Sequence, residues 1–327
     1  MNNPAKIKQI LFVIEGEKAE KNFIESITKA YNLSNFKIFI FATNIFSIYS
    51  FIKNDPYSEY LNLRTILKTI ANRNLEKLNE ENAQDIDKKT KIEEELSKTN
   101  NAYQKQAFAF KIQKITKRIE LRMKQISIIK KQLEDIDNKF DSTYLIFDLE
   151  LQNSIKKDSN GNYDDADIDK NLEIIKIMLQ KCNDETDPDI GKLLINYPMI
   201  ESYRDCNDFF DNCYWNNEIE INKLIEYKNI VYQKHPKHIP IGKYIKENFD
   251  KLLCMNLYKL NYLMNNNKWD KLTLNDFLEI QPIDILEKIT QIIKKRRTIS
   301  ILNTSLFFLL YYYGNRNNFF DNIITNC

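Results

Sequence analysis

Glycine, paired cysteines and histidine are scarce in this sequence, and each scarcity excludes a class of site. The 327 residues include five glycines and no glycine-rich phosphate-binding loop, so we do not expect the chain to hydrolyse ATP. The five cysteines form no CxxC pair, which predicts a reducing compartment and no structural zinc. The two histidines, His235 and His238, are interrupted by Pro236, so one helical face cannot carry both.

Excess charge and long apolar runs are also missing. The net charge is +2, so a nucleic-acid surface would have to be local. The apolar stretch from Ile301 to Tyr313 is too short to span a bilayer, and the N-terminal residues lack an apolar signal core. With 43% hydrophobic residues, the composition predicts a globular cytoplasmic protein with a sizeable core and no membrane partner.

An apolar run near the N-terminus ends abruptly in acidic residues. Glu15 and Gly16 follow this run, and a helix-like pattern over 18–31 comes next. The pattern predicts a buried strand over 8–14 with Glu15 at its carboxyl end, where open α/β sheets bind ligands. Gly16 would permit a tight turn there.

A second apolar run, over 143–148, also ends in acids. Asp148 and Glu150 are two positions apart, so they would share one face of an extended chain and reach the same point in space. Together with Glu15 they form a set of hard oxygen ligands suited to Mg²⁺ or Mn²⁺.

The rest of the chain alternates strands and helices around one long insertion. Further strands are predicted at 37–43 and 191–196, and helices at 45–53, 166–182, 216–234, 240–264, 274–279, 283–296 and 299–313. We therefore predict an α/β domain with a mostly parallel sheet flanked by helices, formed by 1–56 and 140–205. We expect residues 206–327 to form an α-helical C-terminal portion.

Residues 57–139 break the α/β rhythm and predict a long antiparallel helical hairpin with its turn near 98–103. In the second arm, isoleucines and a leucine fall on a coiled-coil spacing, and Arg122 fills the one missing position. These apolar positions are Ile112, Ile115, Ile119, Ile126, Ile129, Leu133 and Ile136.

Basic residues are concentrated in the second arm of this hairpin. Between 105 and 131 they include Lys111, Lys114, Lys117, Arg118, Arg122 and Lys124. The first arm carries most of the acids, so one interpretation is a solvated coiled coil whose arms attract each other. The other interpretation is a basic surface that follows a nucleic-acid backbone.

The strand-end acids resemble those of the Toprim domain, which occurs in topoisomerases, primases, OLD-type nucleases and small ribonucleases. The segment IEGEKAEKNF is similar to the EGEKTEPNYF motif of bacterial RloB-like proteins, and LINYPMIESY resembles a later segment of the same group. The chain departs from the pattern at Glu150, which stands in place of an Asp, and at Ala19 and Lys21. The resemblance covers about a third of the chain.

This resemblance implies a divalent-metal-dependent nuclease that cleaves RNA or DNA, with a role in antiphage defence. It implies that Glu15 is a metal ligand or general base, and that Asp148, Glu150 and Glu201 are metal ligands. Glu20 would serve a second metal ion. Lys18 would contact the scissile phosphate or leaving group, or simply neutralise the acids.

The resemblance also implies binding partners, and two alternative functions remain open. The resemblance implies an ATPase partner, and the hairpin would serve as a docking or homo-oligomerisation arm. One alternative function is a non-catalytic coiled-coil scaffold. Another is a Toprim protein that binds DNA without cutting it.

Overall fold

A five-stranded sheet and a pair of long helices organise the chain in a computed structural model. Contacts divide it into two units, Met1–Tyr60 with Phe140–Cys327, and Leu61–Lys139. The described residues are 9–16, 18–41, 44–54, 63–136, 140–149, 151, 156–157, 163–164, 166–182, 192–203, 218–234, 241–265, 273–313 and 318–325.

Strands and helices alternate through the first unit, and two long helices form the second. The strands are β1 (Ile10–Ile14), β2 (Phe36–Ile40), β3 (Ser142–Asp148), β4 (Lys156–Lys157), β5 (Tyr163–Asp164), β6 (Lys192–Tyr197), β7 (Glu218–Glu220), β8 (Thr298–Ser300) and β9 (Leu302–Asn303). The helices are α1 (Ala19–Ala30), α2 (Ile45–Asn54), α3 (Leu63–Lys98), α4 (Ala102–Ile136), α5 (Ala166–Cys182), α6 (Leu224–Lys234), α7 (Ile241–Met264), α8 (Leu274–Glu279), α9 (Pro282–Arg296), α10 (Phe308–Tyr313) and α11 (Phe319–Thr325).

The main sheet has the strand order β2-β1-β3-β6-β9. Its first four strands run parallel, and β9 pairs antiparallel with the end of β6. Ile14 lies opposite Ile146, and Asp148 lies opposite Asn196, so the carboxyl ends of β1, β3 and β6 meet at one edge. The predicted α/β fold with a mostly parallel, helix-flanked sheet is confirmed.

The apolar runs form central strands because helices cover both of their faces. Every residue of β1 is buried, and the ring of Phe12 packs against those of Tyr144 and Phe308. Helix α1 buries Phe23 and Ile27 and packs against α7, while α5 packs against α2 and α9. The connections β1-α1-β2 and β3-α5-β6 leave the sheet centre in opposite directions, so right-handed crossovers put α1 and α5 on opposite faces.

For two of the predicted C-terminal helices, the predicted first residues are wrong, because strands occupy the beginning of each segment. The segment predicted as a helix over 299–313 begins with strands β8 and β9 and a 3₁₀ turn, and only Phe308–Tyr313 is α-helical. The segment predicted over 216–234 contains β7, which pairs with β8. Tertiary pairing overrides the local helical pattern here, because the short strands β7, β8 and β9 form backbone hydrogen bonds with strands that are distant in the sequence.

The second unit is an antiparallel pair formed by α3 and α4, joined by the short connection between Lys98 and Ala102. Each predicted coiled-coil position of α4 is buried or half-buried, as is Arg122. Arg122 is accommodated because its guanidinium lies 2.6 Å from Asp85 and 3.0 Å from Glu81, both on α3. The predicted long helix pair is confirmed.

Two cysteines lie in described helices. Cys182 is a free thiol, and its burial raises its pKa to about 12. Cys254 is disulfide-bonded, which disagrees with the expected reducing compartment, where disulfides are rare. Among the described residues, no helix is both long and apolar enough to cross a membrane.

Candidate functional site

The order in which the chain adds strands to the sheet reverses between β1 and β3, so the carboxyl ends of these two strands form the topological switch point. From β1 the chain winds outward to β2, and from β3 it winds the other way to β6. In open sheets of this order, ligands bind in the crevice beyond the strand ends at the switch point. Glu15 directly follows β1, and Asp148 ends β3, so both border this crevice.

Gly16 allows Glu20 to approach the strand end closely. A Cβ atom added at Gly16 would lie 2.6 Å from Oε2 of Glu20. The Glu20 carboxylate, in the first turn of α1, therefore rests against the backbone that follows β1. Close approach, and not only turning of the backbone, explains the glycine at this position.

Asp148 is almost completely buried, with 8% of its surface exposed. One carboxylate oxygen, Oδ1, accepts a hydrogen bond from the backbone N–H of Ile200 at 2.8 Å and another from Nδ2 of Asn196 at 3.2 Å. Asn196 occupies the facing position on β6. Sheet register and the turn after β6 thus hold the carboxylate in one orientation.

Glu201 also lies near the carboxyl end of β6, on the turn that follows this strand. The chain leaves β6 through a cis peptide bond between Tyr197 and Pro198 and enters a 3₁₀ turn over 200–203. Glu201 lies on this turn with 1% of its surface exposed, and its Oε1 is 3.0 Å from Nζ of Lys228 on α6. A buried acid therefore shares an ion pair with a lysine whose side chain is half-exposed.

The acids of this edge interact electrostatically. Burial has the largest effect and raises the pKa of Asp148 well above its ordinary value, and the carboxylates of Glu201 and then Glu20 raise it further. The two hydrogen bonds to Asp148 act in the opposite direction. The carboxylates of Glu201 and Glu20 thus disfavour the negative charge of Asp148, which a proton or a cation would relieve.

A buried amide network supports the site from the C-terminal segment. Oδ1 of Asn196 accepts from the backbone N–H of Ser305 at 3.2 Å, and Nδ2 of Asn303 donates to the carbonyl of Ile200 at 3.0 Å. Oδ1 of Asn256, on α7, accepts from the N–H of Asn303 at 2.7 Å. The residues that orient Asp148 are therefore themselves oriented by β9 and α7.

Several predicted site residues thus come together at one sheet edge, while others do not belong to it or lie outside the described residues. Glu20 and Glu201 both act electrostatically on Asp148, and Glu15 follows the adjacent strand. Lys18 is exposed at the N-cap of α1. Glu150 falls outside the described residues. Within the described part of the chain, no three Asp, Glu, His or Cys side chains are already close enough to hold a metal ion.

Sequence reasoning missed Asn196, Asn303 and Lys228. Asn196 carried a usable signal, since it is a polar residue near the end of the mostly apolar strand β6. Lys228 and Asn303 gave none, because their roles depend on contacts with Glu201 and Ile200 far away in sequence.

The six predicted nucleic-acid contacts form two groups on α4. Lys111, Lys114, Lys117 and Lys124 are exposed. Arg118 and Arg122 instead lie 3.0 Å and 2.6 Å from the carboxylate of Asp85. The attraction between the hairpin arms accounts for the arginines but not for the lysines.

Comparisons with known proteins found no matching family model, no matching curated protein and no matching solved structure. The Toprim resemblance therefore rests on the motif residues themselves.

Proposed function

We propose that this chain is a divalent-metal-dependent nuclease of the Toprim type that hydrolyses phosphodiester bonds in RNA or DNA. The observation that carries the proposal is the set of acids gathered at the switch point of a parallel sheet. Asp148 is buried there, and its neighbours Glu20 and Glu201 disfavour its charge. Such an arrangement is costly for folding alone, which supports a functional reason for it.

The donor set fits Mg²⁺ or Mn²⁺. Carboxylate oxygens are the ligands these ions prefer, and a divalent charge would offset the mutual repulsion that raises the pKa of Asp148. We propose that Asp148, Glu201 and Glu15 hold the ion, with Glu150 completing the set and Glu20 serving a second ion or acting as the base. The bound ion would polarise the phosphate and favour hydroxide formation at neutral pH.

Cationic groups around the acids suit a phosphate substrate. The N-terminus of α1 lies just past Gly16, and its Lys18 makes no side-chain capping bond, so the helix dipole and the lysine both favour an anion there. Lys228 brings a second positive charge to Glu201. These groups would bind and orient the substrate phosphate beside the acids.

A cleavage assay tests this proposal. Purified wild-type protein with Mn²⁺ is incubated with single-stranded and duplex RNA and DNA, alongside Asp148→Asn, Glu20→Gln and the surface control Glu287→Gln. Glu287 pairs with Lys176 on the surface, so its amide variant makes the same chemical change away from the site. Cleavage by wild type and control, and its loss in the two site variants, supports the proposal. Equal cleavage by all four proteins would contradict it.

A scaffold or a DNA-binding protein without catalysis predicts a different pattern. Neither requires the acids to bind metal, so Asp148→Asn would leave binding of partners or DNA unchanged. The resemblance to RloB-like proteins also supports a defence role with an ATPase partner. Co-expression with a candidate ATPase partner under phage challenge would test that part, with protection lost in Asp148→Asn.

A further inference from the structure

The outward side of α4 carries a second regular stripe of residues. It runs opposite the coiled-coil seam and follows the same alternating spacing of three and four positions. Its members are Phe110, Lys114, Lys117, Leu121, Lys124, Ile128 and Lys131, and all are exposed. Tyr103 continues the stripe one heptad earlier and is 82% exposed.

The lysines of this helix are not neutralised by the hairpin. Helix α4 has nine basic and three acidic residues, whereas the whole chain has a net charge of only +2. Its two arginines bind Asp85, but among the described residues none of its lysines has an ion-pair partner. The positive charge is therefore concentrated on the outward side of one helix, as expected for a local polyanion site.

The apolar members of the stripe are unusual for a solvated helix. Phe110 is 68% exposed and Leu121 is 54% exposed, whereas Ile86 is the one exposed large apolar residue on the described part of α3. Two exposed aromatic rings, Tyr103 and Phe110, precede the lysines along the stripe. Proteins that bind single strands combine such rings, which stack on unpaired bases, with basic side chains, which bind the backbone. A duplex hides the faces of its bases, so the rings favour a single strand.

Other occupants fit the stripe less well. A second copy of α4 would place lysines against lysines, and α3 has eight acidic and eight basic residues and so offers no net attraction. A membrane surface needs a continuous apolar face with lysines at its margins. Here the lysines occupy the middle of the stripe. We therefore infer that this stripe of α4 binds single-stranded nucleic acid, with Lys114, Lys117 and Lys124 on phosphates and Tyr103 and Phe110 stacked on bases.

This inference rests on the proposed function in naming the form of its substrate, yet it can be tested without cleavage. The stripe from Phe110 to Lys131 is about 32 Å long, enough to follow several nucleotides. The probe is therefore a fluorescent oligo(dT) or oligo(U) of about 15 nucleotides, within the usual range of single-strand sites. Anisotropy of the full chain is measured in EDTA, with a duplex of equal length and anionic phosphatidylglycerol vesicles as competitors.

Two variants and two matched controls locate the site. The triple variant K114Q/K117Q/K124Q should weaken single-strand binding at least about tenfold and lower the slope of log affinity against log salt by about 2. Phe110→Ser should weaken single-strand binding about fivefold or more. The controls are K77Q/K88Q/K98Q and Ile86→Ser on α3, whose residues are also exposed, and both should bind as wild type does. Circular dichroism verifies that all variants keep their helices.

The outcomes separate the alternatives. Preference for the single strand that the stripe variants alone remove supports the inference. Equal weakening by stripe and control variants, tighter binding to the duplex, or binding to vesicles but not to oligonucleotides would overturn it. Self-association that Phe110→Ser abolishes, without oligonucleotide binding, would assign the stripe to a second copy. The nuclease proposal and the binding inference can fail separately, because Asp148→Asn should abolish cleavage while leaving binding of the single strand to the stripe unchanged.

Discussion

Two buried aspartates, one in each unit, have opposite electrostatic environments. Asp85 in the hairpin is 4% exposed and Asp148 in the sheet is 8% exposed. The Arg122 guanidinium, followed by that of Arg118, lowers the pKa of Asp85. Burial and two neighbouring acids raise the pKa of Asp148.

The charged neighbours of the two aspartates indicate which buried charge stabilises the fold and which belongs to the proposed site. Asp85 has its cations on the facing helix, so its charge is compensated within the hairpin. A single polar pair in a coiled-coil seam specifies the register of the helices. Asp148 has hydrogen bonds but mainly acids for charged neighbours, so its charge is compensated only by a proton or a bound cation. The first aspartate is structural, and the second is the centre of the proposed site.

The largest expected effect separates the two aspartates by activity. Asp148→Asn should reduce Mn²⁺-dependent cleavage about 100-fold or more, because losing even a supporting residue of a metal site costs 10–100-fold. Asp85→Asn should leave the rate per folded molecule within about twofold. Gel-based cleavage rates measure both, and equal losses would show that the comparison does not hold.

For stability we expect the opposite ranking, with a larger loss from substitution of Asp85 than from substitution of Asp148. Asp85→Ala leaves Arg122 without its closest carboxylate and should lower the free energy of unfolding of the hairpin by about 2–3 kcal/mol. Asp87→Ala, on the exposed side of α3 and with Lys91 as its ion-pair partner among the described residues, should cost less than about 0.5 kcal/mol. Urea unfolding followed by circular dichroism compares them. Asp148→Asn should be neutral or stabilising in the absence of metal, because it removes a disfavoured charge.

The pH dependence of stability should have opposite signs at the two positions. The folded-state pKa of Asp85 is lowered, so its contribution exists above the unfolded pKa and is lost as pH falls through the folded value. The folded-state pKa of Asp148 is raised, so its contribution is full below the unfolded pKa and is lost as pH rises through the folded value. In EDTA, the fall in the free energy of unfolding at acidic pH should be smaller in Asp85→Asn than in wild type, with the remainder coming from other carboxyl groups with a lowered pKa, such as Asp276. The fall toward neutral pH should disappear in Asp148→Asn.

The smallest expected effect concerns Gly16. A methyl group at this position would meet the Glu20 carboxylate at 2.6 Å, so Gly16→Ala should displace the flexible Glu20 side chain without unfolding the protein. We expect about a tenfold loss of cleavage, in line with losses from displaced supporting groups. In the Glu20→Gln background the same substitution should have less effect. Additive losses would mean that Gly16 acts through some other contact.

Periodicity and strand ends predicted much of the fold. The strand and helix bounds of the β1-α1-β2 unit, the long helix pair and α5 agree with the sequence pattern to within a few residues, because each has strong local periodicity. The short strands β7, β8 and β9 could not be predicted. Two or three residues carry no period, and they are extended only because distant segments pair with them.

The site was predictable where residues end strands. Asp148 follows from the abrupt end of an apolar run, and Glu20 lies in the first turn of the helix that follows Glu15. The ion pair of Lys228 with Glu201 and the contact of Asn303 with Ile200 were not predictable, since each joins residues far apart in the sequence.

The most direct test of the central claim is a calorimetric titration of metal-free protein with Mn²⁺. We predict saturable binding to wild type and to Glu287→Gln, with binding weakened about 100-fold or more in Asp148→Asn and strongly reduced in Glu201→Gln. Asp85→Asn should bind as wild type does. If wild type binds no Mn²⁺, or if Asp148→Asn binds it equally well, the acids at the sheet edge do not form a divalent-cation site.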